Sequence, residues 1–271
     1  MKKTGAILFF LVFTFISCKE VNFLQDEYLI ESEIVSVKVE PPVAVKGEVV
    51  SIYVAADDGS GGEVVIDVTV GNTVFAGKTT TKFTVPKELS SLFGDEVAGN
   101  FKRNGFVDVT VEATIRESTK KAVKMLRIAG SDDQKASNFA ENPVISKVEY
   151  EVIGSAQKIE IENGSVVSFD PSAIPEEVRF TPEKAVVDEI LKDEYVFSWF
   201  IAGSSGDLPL VTEFDKKSGE IVVLFRDFAG APLVGKYKFF SVLKPAKAAT
   251  SPSEAHYGSD FVTFVINTTE K

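Results

Sequence analysis

Alternation of apolar and polar positions is the strongest signal along this chain. It is clearest in residues 106–116, where apolar side chains occupy every second position and charged or hydroxyl side chains fill the gaps. A period of two is typical of a half-buried antiparallel strand with one solvated face. Residues 34–40 repeat the pattern, which predicts Val35, Val37 and Val39 on one face before a proline pair ends the strand.

Only short segments have apolar residues at helical spacing. Residues 86–93 predict one short helix, with Pro86 suited to a first helical position. Residues 182–193 have apolar side chains at helix-like spacing and predict a short helical insert. The remaining runs are short and strand-like, with turns between them, so the chain is predicted to be all-β.

The strand pattern occurs twice. Residues 144–149 echo 34–40, and residues 164–169 echo 47–52, each time as a strand followed by a glycine and a second strand. Between the two copies, residues 130–142 break the pattern and are typical of a linker. Two related domains are therefore predicted. The predicted boundaries are 33–129 for the first domain, 130–142 for the linker and 143–271 for the second domain.

Several of these positions resemble bacterial immunoglobulin-like domains. In the first copy they are the opening strand, the proline pair and Gly47; in the second, Trp199 resembles the tryptophan of strand C, and residues 235–239 resemble the Gly-x-Tyr-x-Phe of a late strand. The cysteine pair of many such domains is missing, and the first copy has no tryptophan. The resemblance implies two tandem immunoglobulin-like antiparallel β-sandwiches.

The N-terminus has a different pattern. Lys2 and Lys3 precede an apolar run over residues 5–16, and the chain becomes polar directly after Cys18. A basic start, an apolar core and a small residue before the cut site are typical of a secretory signal peptide, here residues 1–17. The apolar run is too short to cross a bilayer of about 30 Å as a helix.

The stretch Phe15–Ile16–Ser17–Cys18 resembles the lipobox of bacterial lipoproteins, although phenylalanine stands where leucine is usual. The resemblance implies that Cys18 becomes the N-terminal residue and carries acyl chains such as palmitate, with residues 18–32 as a tether. Lys19, where enterobacteria place aspartate for inner-membrane retention, favours the outer membrane. The membrane is thus the first predicted partner, through the acyl chains on Cys18.

The net charge of the chain excludes one class of partner. The chain has a formal charge of −11, and removal of residues 1–17 would take away two lysines and no acid. Nucleic acid is excluded as a partner, because phosphate contacts need clustered Lys and Arg. At 44% hydrophobic and 25% charged residues, the chain can build folded cores.

An acidic turn offers the main candidate metal ligands; Asp132 and Asp133 of the linker could add to them, but a solvated linker is the preferred interpretation there. Asp57, Asp58 and Glu63 surround a glycine-rich stretch and could supply oxygen ligands to Ca²⁺. Their spacing does not fit an EF-hand loop, and an acidic hairpin turn is the preferred interpretation. No other metal and no cofactor is predicted.

The aromatic run at 195–200 offers a candidate binding surface. Tyr195 and Trp199 share one face of a strand and could stack on a ligand. The preferred interpretation is that they belong to a sandwich core, with the other face of the strand covered by the 182–193 insert.

No catalytic residues are predicted. His256 is the single histidine and lacks the partners of a known catalytic motif. The resulting hypothesis is a lipid-anchored, non-enzymatic envelope protein that binds or adheres to a protein or glycan. Two alternatives stay open: a periplasmic structural or assembly subunit that binds another envelope protein, and a carboxylate-dependent hydrolase.

Overall fold

The computed structural model describes residues 28–29, 31–116, 118–136, 142–185, 195–204, 207–246 and 258–269. Most of them lie in antiparallel strands, and the few helices are short. The strands of the first half are β1 (Glu33–Glu40), β2 (Val43–Val45), β3 (Val49–Asp57), β4 (Ile66–Val70), β5 (Thr73–Ala76), β6 (Thr80–Thr84), β7 (Phe106–Ile115) and β8 (Lys121–Ala129). The helices are α1 (Ser90–Phe93), α2 (Asp95–Asn104) and α3 (Asp132–Ala136).

The first eight strands form a two-sheet sandwich. One sheet has the order β1-β3-β6 and the other β2-β8-β7-β4-β5. The proline pair ends β1, and the chain resumes as β2 in the opposite sheet, parallel to β8. A first strand divided between two sheets, with three strands in one sheet and the hairpin β7-β8 in the other, is an immunoglobulin-like arrangement. The alternating apolar residues of both sheets meet in one buried cluster.

Strand β1 differs from its predicted face assignment. Its pairing with β3 shifts between Ile34 and Ser36, so an irregularity falls at Val35. Because one extra residue reverses the alternation, Ile34 packs with Val37 and Val39 against the sandwich core, and Val35 packs with a different cluster on the outer face. The expectation that Val35 shares a face with Val37 and Val39 is wrong.

The connection between β6 and β7 is more helical than predicted. The expected helix at 86–93 is reduced to α1, and α2 follows it directly. Helix α2 starts with two acidic residues and ends at Gly105, which has a φ of +74°. Its apolar side chains Val97, Ala98 and Phe101 cover the edge of the first core.

The second half of the chain forms another two-sheet sandwich. Its strands are β9 (Val144–Val152), β10 (Lys158–Ile161), β11 (Val166–Ser168), β12 (Glu177–Ala185), β13 (Tyr195–Gly203), β14 (Leu210–Phe214), β15 (Ile221–Leu224), β16 (Lys236–Pro245) and β17 (Asp260–Asn267). The sheet orders are β10-β9-β12-β15-β14 and β11-β17-β16-β13. The architecture is therefore all-β, as predicted, with immunoglobulin-like sandwiches.

The predicted helical insert does not begin at Pro182. Residues 182–185 continue β12 and pair with β9, from Pro182 opposite Val148 to Ala185 opposite Val144. Pro182 is tolerated because the other neighbour, β15, pairs with β12 only as far as Phe180, so no ladder bond on that side needs the missing N–H. Residues 186–193 of the insert lie outside the described residues. Within the described ranges, no helix is long and apolar enough to cross a membrane.

Candidate functional site

The two sandwiches pack face to face. The outer face of β1 and β3 meets the outer face of β13, β16 and β17, so the chain folds back on itself after the first sandwich. The buried members of this contact, which we call the seam, are Leu29, Ala55, Ala202, Phe240 and Val242, with Val35, Phe200 and Phe261 partly buried around them. Phe200 packs against the seam, and residues 186–193 of the insert that was expected to cover this face lie outside the described residues.

The last residues of the predicted tether belong to the seam. Leu29 is buried and donates its backbone N–H to Ile201 O at 2.9 Å, beside the edge strand β13. The hydroxyl of Tyr28 donates to Pro209 O and accepts from Val211 N, both at 2.9 Å. Within the predicted tether of residues 18–32, Tyr28 and Leu29 are docked, because these side chains find apolar and hydrogen-bonding partners on the second sandwich.

Two ion pairs cross the seam, one with its lysine on the first sandwich and one with its lysine on the second. Lys38 of the first sandwich lies 2.9 Å from Asp260 Oδ1 of the second, and Lys238 of the second lies 3.0 Å from Asp57 Oδ2 of the first. Asp260 also accepts the backbone N–H of Ile145 at 2.8 Å. Burial opposes the charged form of Lys38, but the hydrogen bond and charge of Asp260 outweigh it and raise the pKa of Lys38.

Further side-chain hydrogen bonds join the same surfaces. The Ser259 hydroxyl donates to Val37 O at 3.1 Å and lies 3.4 Å from the Ser36 hydroxyl. The Asn142 amide donates to Val39 O and to the Glu40 carboxylate, each at 2.8 Å. The seam is therefore fixed in register by hydrogen bonds as well as by apolar packing.

The aspartates of the acidic turn accept hydrogen bonds from the backbone of the same turn. Asp57 Oδ1 accepts the backbone N–H groups of Gly59 and Gly61, both at 2.9 Å, and its Oδ2 faces Lys238. Asp58 Oδ1 accepts from the hydroxyl and backbone of Ser60, and these bonds lower the pKa of Asp58.

The candidate Ca²⁺ ligands do not come together. Glu63 is exposed, whereas Asp57 is fully buried with its oxygens committed to the backbone and to Lys238. Among the described residues, no group of three His, Cys, Asp or Glu side chains is placed to hold a metal ion. This arrangement fits the structural turn that was the preferred interpretation.

The candidate stacking residues lie in the second core. Trp199 is fully buried and Tyr195 is 5% exposed. The Trp199 indole N–H donates to Gly219 O at 2.7 Å, and its ring lies 6.2 Å from that of Phe264 in an edge-on arrangement. Neither ring offers a free face to a ligand, so the stacking hypothesis for Tyr195 and Trp199 is wrong. Cys18 and His256 lie outside the described residues.

A cleft of about 820 Å³ opens beside the seam and is lined by residues of both sandwiches. Its floor includes Ala55, Phe240 and Phe261. The neutral polar side chains on its walls are Tyr53, Thr79 and Thr80 of the first sandwich and Asn163 and Thr263 of the second, and the charged ones are Glu63, Lys78 and Lys238. Its volume falls within the range of about 300 to 1,000 Å³ that is typical of ligand pockets, which occur preferentially between domains.

The residues of the seam were missed at the sequence level, although two signals for them exist. Residues 239–243 are apolar or small at every position, which indicates a strand covered on both faces. Lys38 and Lys238 each sit between two core residues of an alternating strand, but nothing in the sequence pairs either lysine with its carboxylate.

Comparison with known proteins does not place the chain in a family. No family model matches it, and no curated protein matches it. Solved structures with some likeness include fibronectin(III)-like modules of Clostridium thermocellum CbhA, with 12% identity, 86% of this chain and 94% of that chain covered, and a TM-score of 0.22. Mouse clustered PcdhgC3 EC1-3 has 12% identity, coverage of 88% and 67%, and a TM-score of 0.23.

A third structure concerns the host cell surface retention of a 1.5-MDa bacterial ice-binding adhesin. It has 11% identity, coverage of 89% and 65%, and a TM-score of 0.23. Likenesses at these TM-scores carry no conclusion about family or function. The immunoglobulin-like assignment rests on the strand orders of the two sandwiches.

Proposed function

We propose that this chain is a lipid-anchored, non-enzymatic protein of the bacterial envelope that binds a partner in the cleft between its two sandwiches. The cleft is the observation that carries the proposal. It is built jointly by two sheets whose relative position is fixed by ion pairs and hydrogen bonds, so the site is formed before any partner arrives. A preformed site loses less free energy to ordering on binding than a flexible one does.

The lining favours binding over hydrolysis. A carboxylate-dependent hydrolase of the glycosidase type needs two carboxyl groups that flank the scissile bond. Glu63 is the one carboxylate on the described walls of the cleft. The other polar groups of the lining are hydroxyl groups, one amide and the ammonium groups of Lys78 and Lys238, and they can hydrogen-bond to a glycan or a peptide without chemical change.

The lipid anchor rests on the sequence. Cys18 follows an apolar run and a small residue, and the chain between it and Tyr28 is only nine residues long. Since Tyr28 and Leu29 are docked on the second sandwich, the folded part would be held close to the membrane surface. The outer membrane remains the proposed location.

Protease shaving of intact cells tests the location. Full-length protein with a C-terminal epitope is compared with its Cys18→Ala variant, before and after permeabilisation of the outer membrane. Loss of the epitope on intact cells supports a surface binder. Protection until permeabilisation supports the alternative, a periplasmic structural subunit. Membrane fractionation of the Cys18→Ala variant like the wild type would contradict the anchor.

Substitutions in the cleft test the site itself. Thr80→Arg places a long cation on the wall of the cleft, whereas Thr84→Arg changes an exposed threonine of the same strand that does not line it. With envelope glycan and envelope protein fractions immobilised separately, we expect Thr80→Arg to reduce retention at least tenfold and Thr84→Arg to leave it unchanged. Equal retention of both variants would contradict binding in the cleft.

A further inference from the structure

Strand β6 is the last strand of its sheet, which has the order β1-β3-β6 among the described residues. In an antiparallel pair, alternate residues direct both of their backbone groups to the neighbouring strand. Thr79 O accepts from Val54 N at 2.8 Å, and the register continues without a shift through β6, so the odd-numbered residues bond to β3. The N–H and C=O groups of the even-numbered residues of β6 therefore point away from the sheet, along its free edge.

This free edge runs beside the cleft. Thr79 and Thr80 line the cleft, and β6 continues from them to Lys82 and Thr84, which lie beyond its lining. Because side chains alternate along a strand, Lys82 and Thr84 share the face of Thr80. All three side chains are exposed. The wall of the cleft is thus continuous with a row of exposed side chains and with free backbone groups.

The edge is positively charged, although the chain is acidic. Residues 77–87 contain three lysines and no Asp or Glu, whereas the whole chain has a formal charge of −11. Lys78 lines the cleft, Lys82 follows on the same face, and both side chains are exposed. Within the part of the chain that the structure describes, neither lysine forms an ion pair. Lys238, the other lysine of the lining, is already paired with Asp57.

The wall formed by the second sandwich adds hydrogen-bond donors. Asn163 Oδ1 accepts from Thr263 N at 2.8 Å and lies 3.3 Å from the Thr263 hydroxyl. Its acceptor is thus occupied, and the amide N–H groups are what it presents to the cleft. Glu63 is the one carboxylate of the described lining. The ligand that satisfies these groups is rich in acceptors and carries negative charge.

We infer that the partner in the cleft is an extended acidic segment of another protein, which adds a strand to the free edge of β6. Its backbone bonds to the even-numbered residues of β6, and its acidic side chains lie opposite Lys78 and Lys82. Lysine on an edge strand repels edges of like charge, so an acidic strand is selected. A glycan has no alternating backbone donors and acceptors to match this edge. The inference rests on the proposed binding role of the cleft and specifies the chemistry of its partner.

The probe is a fluorescent peptide of eight residues in which glutamate and valine alternate. It is titrated with the full lipidated chain in detergent micelles, and binding is followed by fluorescence anisotropy. Two derivatives carry N-methyl groups, either on every glutamate or on every valine. Since only alternate residues of an added strand face β6, we expect one derivative to bind at least tenfold more weakly and the other to bind like the parent. Equal affinity of the two derivatives overturns strand addition.

Substitutions of lysine test the charge of the edge. Lys82→Gln removes one cation from β6, and Lys87→Gln is the matched change at an exposed lysine beyond the end of the strand. At low salt, we expect Lys82→Gln to weaken binding of the unmethylated peptide at least threefold and Lys87→Gln to leave it unchanged. Equal effects of the two substitutions, or equal binding of a peptide in which lysine replaces every glutamate, overturn the inference.

Failure of this inference is distinguishable from failure of the proposed function. If Thr80→Arg reduces retention of an envelope fraction but the acidic peptide does not bind, the acidic strand is overturned and the cleft remains a binding site. If Thr80→Arg and Thr84→Arg retain both fractions equally, the cleft is overturned as a binding site, and the inference falls with it.

Discussion

The ion pair between Lys238 and Asp57 gives the sharpest prediction about the seam. Asp57 is fully buried, and the Lys238 side chain is 20% exposed. Lys238→Met keeps much of the aliphatic side chain that packs near Phe240 and removes the charge. The Asp57 carboxylate then stays buried without its counter-ion, which destabilises the fold more than replacing both charged groups does.

The magnitude follows from what remains around Asp57. Loss of one partner of a buried pair destabilises a protein by about 3 to 5 kcal/mol. Two backbone N–H groups, from Gly59 and Gly61, continue to stabilise the Asp57 charge. We therefore expect the lower end, about 3 kcal/mol of unfolding free energy. Adding Asp57→Asn removes the stranded charge and keeps the Oδ1 acceptor, so the double variant should lose only about 1 to 2 kcal/mol.

Urea unfolding, with both variants and the wild type, measures these differences. Lys236→Met is the matched control, since Lys236 lies two residues earlier on β16 with an exposed side chain, and its loss should change stability by less than about 0.5 kcal/mol. The reasoning is refuted if Lys238→Met is as stable as this control, or if Asp57→Asn does not recover stability in the Lys238→Met background.

Three further predictions concern the cores and the seam. The pKa of Lys38 is raised in the folded state, so its charge stabilises the fold fully at pH values below the ordinary lysine pKa of 10.5. This contribution is lost as the pH rises through the higher folded pKa. The difference in unfolding free energy between the wild type and Lys38→Met should therefore narrow from pH 7 to pH 11 in urea unfolding. Trp199→Phe should lower stability by about 2 kcal/mol in thermal unfolding, through a cavity and the lost bond to Gly219 O. Gly219→Ala should destabilise by more than about 2 kcal/mol in the same assay, because its φ is +77° and a Cβ would overlap the Phe197 ring. Gly154→Ala, with φ +93° and open space around the Cβ, should lose only about 1 kcal/mol.

The all-β class was predictable because it depends on local alternation. Residues 106–116 show it plainly, and β7 occupies 106–115. Helix α2 was missed because its three apolar residues stand among Gly99, Asn100 and charged side chains, a composition with weak helix propensity. Packing on the first core supplies the stability that the local sequence lacks.

The candidate site was not predictable in the same way. Val35 changes face because of an irregularity in the pairing of β1 with β3. This irregularity cannot be recognised in the sequence of β1 itself. The partners of Lys38 and Lys238 lie 222 and 181 positions away along the chain, at Asp260 and Asp57. Such pairs are determined by how two sandwiches pack, and a single sequence contains no signal for that.

The most direct test of the proposed function is photo-crosslinking in living cells, with a photoreactive residue introduced at Thr80 on the wall of the cleft. Thr84 serves as the control on the same strand, and each is examined with Cys18 intact and with Cys18→Ala. The account predicts a discrete crosslinked product from position 80 that is absent from position 84 and is lost when Cys18 is replaced. The absence of any product from position 80, or the same product from both positions, would contradict it.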